Sequence, residues 1–165
     1  ERHLELDMEP RYKEAKSIID QAEGKVIIFA KFRHSIAAIC KRLEADGYTV
    51  APIHGGVSSN KRSEVFRQFE TTAEPRIIVA QDQTMAHGIT LVSANTIVWW
   101  TPTSSRETFA QANARIDRIG QKRQCLIVRL VGSPIEKHYY RVLDARNDLN
   151  ETLVNMYLEV IDEAA

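Results

Sequence analysis

Two hydrophobic rhythms alternate along the chain. Short unbroken apolar runs recur, and between them the apolar positions fall three and four apart. The first run is KVIIFA at Lys25–Ala30. With no polar position on either side of the pleat, it predicts a strand buried on both faces, as in a parallel sheet. Similar strands are predicted over Tyr48–Ile53, Arg76–Ala80, Asn95–Trp100 and Gln124–Val131. Helical spacing fills the intervals. Ala15, Ile18, Ile19 and Ala22 predict a lead-in helix from Pro10 to Glu23, ended by Gly24. Ile36, Ala37, Ile39, Cys40 and Leu43 predict a second helix, capped by Gly47. Val65, Phe66 and Phe69 stripe a third, with Ser58 or Ser59 as its N-cap. Ser104 or Ser105 opens a fourth. Pro134 suits a first helical position and opens a long C-terminal helix. Its apolar positions are Ile135, Tyr139, Val142, Leu143, Leu149, Leu153 and Met156, with Asn147–Asn150 as a candidate break.

Strands alternating with helices describe an α/β fold: a doubly wound, mainly parallel sheet with helices on both faces, plus a C-terminal helical extension. The expected division is a lead-in helix over 1–24, the sheet domain over 25–132 and the extension over 133–165. In such sheets ligands bind at the carboxyl ends of the strands. The segments expected there are Lys31–Arg33, His54–Gly56, Gln81–Gly88 and Thr101–Ser104.

Composition narrows the function. A chain of 165 residues, 44% apolar and 27% charged, is one globular domain with a real core. Its formal net charge is zero, so no global field draws in nucleic acid. The charge is uneven, however. Lys31 to Arg42 holds four basic residues and no acid, Arg115 to Arg129 holds five and one acid, and from Asp144 onward six acids face one base. Cys40 and Cys125 lie far apart, which argues against a metal site or a disulfide framework and fits a reducing compartment. No stretch is apolar enough to span a membrane and no signal peptide is visible. The first residue is Glu1 rather than Met, so a piece of a larger protein is expected.

The stretch Gln111–Gln121, QANARIDRIGQ, carries the sharpest chemistry. Gln111, Arg115 and Arg118 are spaced i, i+4, i+7, which predicts one shared helical face. Two guanidinium groups there repel each other until an anion turns them into a clamp. The plainer alternative is a pair of cations favoured by a helix C-terminus that Gly120 ends. His54-Gly55-Gly56 offers backbone N–H groups that can approach a phosphate, or is a simple turn. Gln81-Asp82-Gln83-Thr84 suits backbone or sugar contacts, or caps the following turn. Gly88 is expected where a ligand comes close or φ is positive, and His87 is read as ordinary. Of Trp99 and Trp100, one is expected in the core and the other toward a groove. There is no GxxxxGK[ST] loop, no acidic magnesium motif and no nucleophilic triad pattern. A phosphate-facing edge without a phosphate loop is half of a site.

Five collinear segments resemble the second RecA-like domain of superfamily two helicases, and within it the Swi/Snf-type DNA translocases. VIIFAKF at 26–32 is similar to the fourth motif, and IHGGVSSNKRSEVFRQF at 53–69 to the stretch after it, with Arg62 on its helix. IIVAQDQTMAHGITL at 77–91 resembles the fifth motif, and WWTPTSSRETFAQANARIDRIGQ at 99–121 the sixth. SPIEKHYYRVL at 133–143 resembles the start of the family's C-terminal helix. The resemblance implies ATP with Mg2+, held mainly by an N-terminal RecA-like domain of the same protein. It implies that Arg115 and Arg118 reach the γ-phosphate across an interdomain cleft, with Arg118 as the finger, and that Gln111, Gly88 and Thr90 complete the nucleotide-facing set. Phe32, Arg33, Gly55, Gly56, Gln81, Asp82 and Gln83 would lie along the backbone of duplex DNA. The alternative is a non-catalytic helicase-like module that only holds DNA or protein. No metal ligand is expected in this chain, and no membrane partner. Ala114 and Asp117 stand where an Asp and a His are common, Thr90 where Asn is, and Gln81-Asp82-Gln83 where Ser-Thr-Arg is. These departures imply a divergent bacterial or phage branch acting in the cytoplasm, or in the nucleus if the source is eukaryotic. Asp117 is expected to pair with a neighbouring arginine when no nucleotide is bound.

Overall fold

A computed structural model describes residues 8–85 and 89–145. The elements follow the two rhythms: α1 Glu9–Gln21, β1 Lys25–Phe29, α2 Arg33–Ala45, β2 Val50–Ile53, α3 Ser59–Thr71, β3 Ile77–Ala80, a 3-10 turn Asp82–Met85, β4 Ala94–Trp99, α4 Arg106–Asn113 and β5 Leu126–Arg129. A further helix, α5, occupies 134–145. The five strands are all parallel in the order β2-β3-β1-β4-β5. Ser58 and Ser105 are the N-caps of α3 and α4, each accepting a backbone N–H three residues on.

Period-two alternation divides the sheet's side chains between two cores. Ile27, Phe29, Ile78, Ala80, Ile97 and Trp99 face one side and meet α3, α4 and α5 through Phe66, Phe69, Ala112, Tyr140 and Leu143. Val26, Ile28, Ile77, Val79, Val98 and Trp100 face the other and meet α1 and α2 through Tyr12, Ile19, Ile36, Ile39 and Leu43. The lead-in helix therefore closes one face of the sheet. Arg11 fastens it further: its guanidinium forks onto Glu136 at the start of α5, with the Nη1–Oε1 leg at 2.8 Å, and donates to the Trp100 carbonyl. The same carboxylate accepts the Gly132 N–H at 2.7 Å.

Three expectations are corrected. Both tryptophans are buried, one in each core, because consecutive strand residues point to opposite faces and both faces are covered. Neither faces a groove. The fifth strand is not buried on both sides: β5 is a sheet edge, and Leu126 and Ile127 are exposed. In α5 the inward residues are Glu136, Tyr140 and Leu143, whereas Ile135, Tyr139 and Val142 face out. Apolar type alone could not choose between those faces. The expected apolar positions Leu149, Leu153 and Met156, and the break at Asn147–Asn150, lie outside the described residues.

Candidate nucleotide and nucleic-acid edge

The parallel sheet brings the ends of β1, β2 and β3 side by side, and one side chain ties the three together. Gln81, just past β3, accepts the Gly55 N–H on its Oε1 at 3.0 Å and donates from Nε2 to the Lys31 carbonyl at 3.0 Å. Its own N–H donates to Ile53 O at 2.9 Å. The Gly56 N–H donates to His54 Nδ1 at 3.1 Å, so that nitrogen is the unprotonated one. Burial, and then the charge of Arg33, lower the His54 pKa and keep the ring neutral. Both glycine N–H groups are thus engaged by protein acceptors. Arg33 lies directly over Gly56: a Cβ there would sit 2.6 Å from Arg33 Nη2. A side chain at that position would displace the tip of Arg33. Asp82 turns back to accept the Gln83 N–H at 2.8 Å, and Gln83 itself is exposed. Lys31 N–H donates to Thr101 Oγ1 at 3.0 Å, which joins the β1 end to the β4 end. Sequence reasoning placed Gln81 on the ligand edge but did not foresee that both ends of its amide are spent on holding that edge together.

The second half of the candidate site is the arginine turn, which packs at the other end of the sheet, against the residues that lead into β4. The expected single helical face is corrected here. α4 stops at Asn113, and 114–120 is a series of turns. The end of the helix is tied to groups outside it. Asn113 Oδ1 accepts from Trp99 Nε1 at 2.9 Å, and the Arg115 carbonyl accepts the Leu91 N–H at 2.9 Å. Arg115 folds inward, 4% exposed, and donates from Nη1 to the Ile89 carbonyl at 3.4 Å. Burial, and then the nearby charge of Arg118, lower its pKa. Arg118 stays exposed. Its Nε donates to Ala114 O at 2.9 Å, and its Nη1 makes a long hydrogen bond of 3.4 Å to Thr90 Oγ1. The two arginines remain neighbours in charge, with the Arg115 guanidinium buried and the Arg118 guanidinium exposed. Gln111 is partly buried on α4 and donates to Glu107 at 2.9 Å. Among the described residues Asp117 forms no ion pair with either arginine; it acts instead on Cys125, whose pKa burial and then Asp117 raise. Gly88 and His87 lie outside the described residues.

Gln121 is the residue that motif spacing hid. Its Nε2 points at three carbonyls, Ala94 at 2.8 Å, Ile116 at 3.0 Å and Val92 at 3.2 Å, and its Oε1 accepts the Arg123 N–H at 3.0 Å. Gly120, at φ +103°, gives the reversal that sends the side chain back under the turn. Gln121→Ala strands those carbonyls and is expected to cost about 1–3 kcal/mol. Chemical denaturation of the chain checks this: an unchanged midpoint would mean that water replaces the amide at no loss.

The 81–91 connection joins the two halves. Its start, Gln81, holds the strand-end cluster, and its end, Ile89 to Leu91, holds the arginine turn. No group of His, Cys, Asp and Glu among the described residues is placed to hold a metal ion. No described helix is long and apolar enough to cross a membrane.

Comparison with known proteins bears on the family and the fold. The model of the helicase conserved C-terminal domain matches residues 11–120. The chain is similar to an Arabidopsis thaliana protein described as a putative SWI/SNF-related matrix-associated actin-dependent regulator of chromatin, subfamily A member 3-like 1. The two are 27% identical over 80% of this chain and 14% of that protein. It is 25% identical to the human DNA repair and recombination protein RAD54-like, over 82% of this chain and 18% of that one. The chain therefore spans less than a fifth of the length of these relatives. In fold it resembles the crystal structure of the C-terminal part of the Fun30 ATPase domain, with a TM-score of 0.73 and 23% identity over 87% of this chain and 48% of that one. With its five parallel strands in a RecA-like arrangement and a family match across most of its length, the chain belongs to the helicase conserved C-terminal domain family, with Swi/Snf-type relatives.

Proposed function

We propose that this chain is the second motor domain of an ATP-dependent DNA translocase of Swi/Snf type. The observation that carries the reading is the shared 81–91 connection, which touches the strand-end cluster at one end and the arginine turn at the other. ATP with Mg2+ would be held mainly by a first RecA-like domain of the same protein and would supply the phosphoanhydride whose hydrolysis drives the cycle. The residues here fit one side of that group: two neighbouring arginines, one of them exposed, with no phosphate loop in the chain.

Arg118 would balance charge at the γ-phosphate, and Arg115 would fix the turn that aims it. Gln111, Gly88 and Thr90 belong to the same proposed nucleotide-facing set, and Thr90 Oγ1 accepts from Arg118 Nη1. Phe32, Arg33, Gly55, Gly56, Gln81, Asp82 and Gln83 form or brace a track for the DNA backbone, where contacts position the strand without reading its sequence. A shift of the arginine turn on nucleotide exchange would move the 81–91 connection and so alter the grip. Relatives described as DNA repair and recombination proteins support DNA as the polymer.

The test is ATP hydrolysis by the protein carrying both motor halves beside this isolated chain, each with and without duplex DNA. Turnover in the long form alone, raised by DNA, is expected. Absence of turnover in both would favour a non-catalytic helicase-like binding module, and turnover by the isolated chain would overturn the half-site reading.

A further inference from the structure

The two halves of the candidate site lie at opposite ends of the sheet, and one helix runs the whole way between them. β2 ends at the carboxyl edge and its parallel neighbour β3 starts at the opposite one, so α3, which joins them, crosses the sheet from end to end. Its 13 residues span about 20 Å. It starts three residues after Gly56, capped by the Ser58 hydroxyl, beside the strand-end cluster. Phe66 and Phe69 are buried in the core and fix the helix to the sheet. At the far end α3 is fastened to two other segments. Lys25 Nζ donates to the Phe69 and Thr72 carbonyls, each at 2.7 Å. Glu70 is joined to Ser93 by side chain and backbone together. The Ser93 N–H is shared by the two carboxylate oxygens at 3.1 and 3.4 Å, and Ser93 Oγ donates to the Glu70 carbonyl at 3.2 Å. Among the described residues Glu70 is the α3 side chain that hydrogen-bonds to the lead-in of β4.

Ser93 lies between Val92 and Ala94, whose carbonyls both accept from Gln121 Nε2. The same Nε2 donates to Ile116 O and so holds the turn that carries Arg118. A carboxylate is a strong acceptor for a backbone N–H, so a movement of the helix end takes the 92–94 backbone with it. A hydrogen-bonded helix is stiff, and a displacement at its start is delivered at its end. We propose that Glu70 is a positioning residue for the arginine turn: through Ser93 and Gln121 it carries the seating of DNA at the start of α3 to Arg118. This rests on the reading of the carboxyl edge as a DNA track and of Arg118 as the γ-phosphate group. It adds a second route beside the 81–91 connection, with a named residue at the junction. Coupling of this kind is mutual, so a nucleotide that shifts the turn alters the grip on DNA through the same hydrogen bonds. Phe69 and Lys25 hold the end of α3 without Glu70, so its removal loosens the tie to Ser93 and leaves the helix in place.

The experiment uses the protein that carries both motor halves. It follows ATP turnover with and without duplex DNA, and duplex binding with and without a non-hydrolysable ATP analogue. In Glu70→Ala, basal turnover, KM for ATP and duplex affinity without nucleotide should each stay within about twofold of the parent, while the stimulation by DNA falls by on the order of fivefold. The change in duplex affinity that the analogue produces in the parent should shrink as well, which a residue that only braces the fold would not bring about. Glu70→Gln keeps an acceptor at the same reach and should retain most of the stimulation. Glu70→Asp draws the carboxylate back by one methylene and should behave like Glu70→Ala, which keeps the question answerable if the alanine variant does not fold. Basal and stimulated turnover that fall together, with Glu70→Gln no better than Glu70→Ala, would make Glu70 a structural tie and overturn the proposal. Full stimulation in both Glu70→Ala and Glu70→Asp would overturn it too. Parent turnover that DNA does not raise would overturn the motor reading beneath it.

Discussion

Arg118→Ala, in the protein that carries both motor halves, is expected to cut DNA-stimulated ATP hydrolysis by on the order of 10³-fold, the scale on which finger arginines act at a γ-phosphate. Three features make the experiment clean. Arg118 is exposed, so truncation opens no cavity. Its hydrogen bonds to Ala114 O and Thr90 Oγ1 lie on the surface, where water can take them over at small cost. The turn is held by Gln121 and by the Leu91–Arg115 backbone pair, neither of which needs the Arg118 side chain. Thermal unfolding should therefore be unchanged while turnover collapses, and DNA affinity should move little. Arg118→Lys keeps a charge but loses the planar fork, and should recover only a small part of the rate. Arg115→Ala is a poorer probe. Its side chain is buried against the Ile89 carbonyl, so that variant loses stability as well as activity. Near-normal turnover in Arg118→Ala would remove the central assignment.

The sheet was legible because the apolar runs of the central strands had to be covered on both sides, which leaves few arrangements other than helices on both faces. The capping serines Ser58 and Ser105 were legible for a local reason, the need of a helix N-terminus for an acceptor. Spacing failed at Gln111–Arg118, where period 3.6 predicted a single helical face. α4 stops at Asn113, where Asn113 and the Arg115 carbonyl meet Trp99 and Leu91, and no local pattern encodes partners that distant in sequence. The same limit hid Gln121 and the bracing role of Gln81, since an amide gives no sign in sequence of which carbonyls it will meet. It hid the inward face of α5 too, which carries Glu136 bound to Arg11 beside the buried Tyr140 and Leu143 and leaves Ile135 and Tyr139 outside. What the sequence carried for the arginines was their identity and order; the role proposed for them comes from the resemblance of five segments in register.

Trp99→Ala is the variant expected to cost most in folding, about 3–5 kcal/mol. Trp99 is 1% exposed at the end of β4, where the sheet meets α4. Its ring lies 4.7 Å from Phe29 and 4.8 Å from Phe109, both tilted, so one side chain joins the central strand β1 to the helix that leads into the arginine turn. Removing it leaves a void that the two remaining rings cannot close without moving α4, and deprives Asn113 Oδ1 of its donor. For a chain of this size the melting temperature should fall by roughly 10 °C. Trp99→Phe separates the two contributions. It keeps most of the ring contact and loses only the N–H, so the expected cost is nearer 1–2 kcal/mol, but it frees the residue at which α4 ends. If that hydrogen bond fixes where the helix stops, Trp99→Phe should lower turnover more than its small stability loss accounts for, because Arg115 and Arg118 follow directly on Asn113. If turnover follows the folded fraction alone, the Leu91–Arg115 pair is sufficient to set the turn and Trp99 is only core. A melting temperature unchanged in Trp99→Ala would contradict the packing itself, since it would require the rings of Phe29 and Phe109 to close over the vacated volume without displacing the helix.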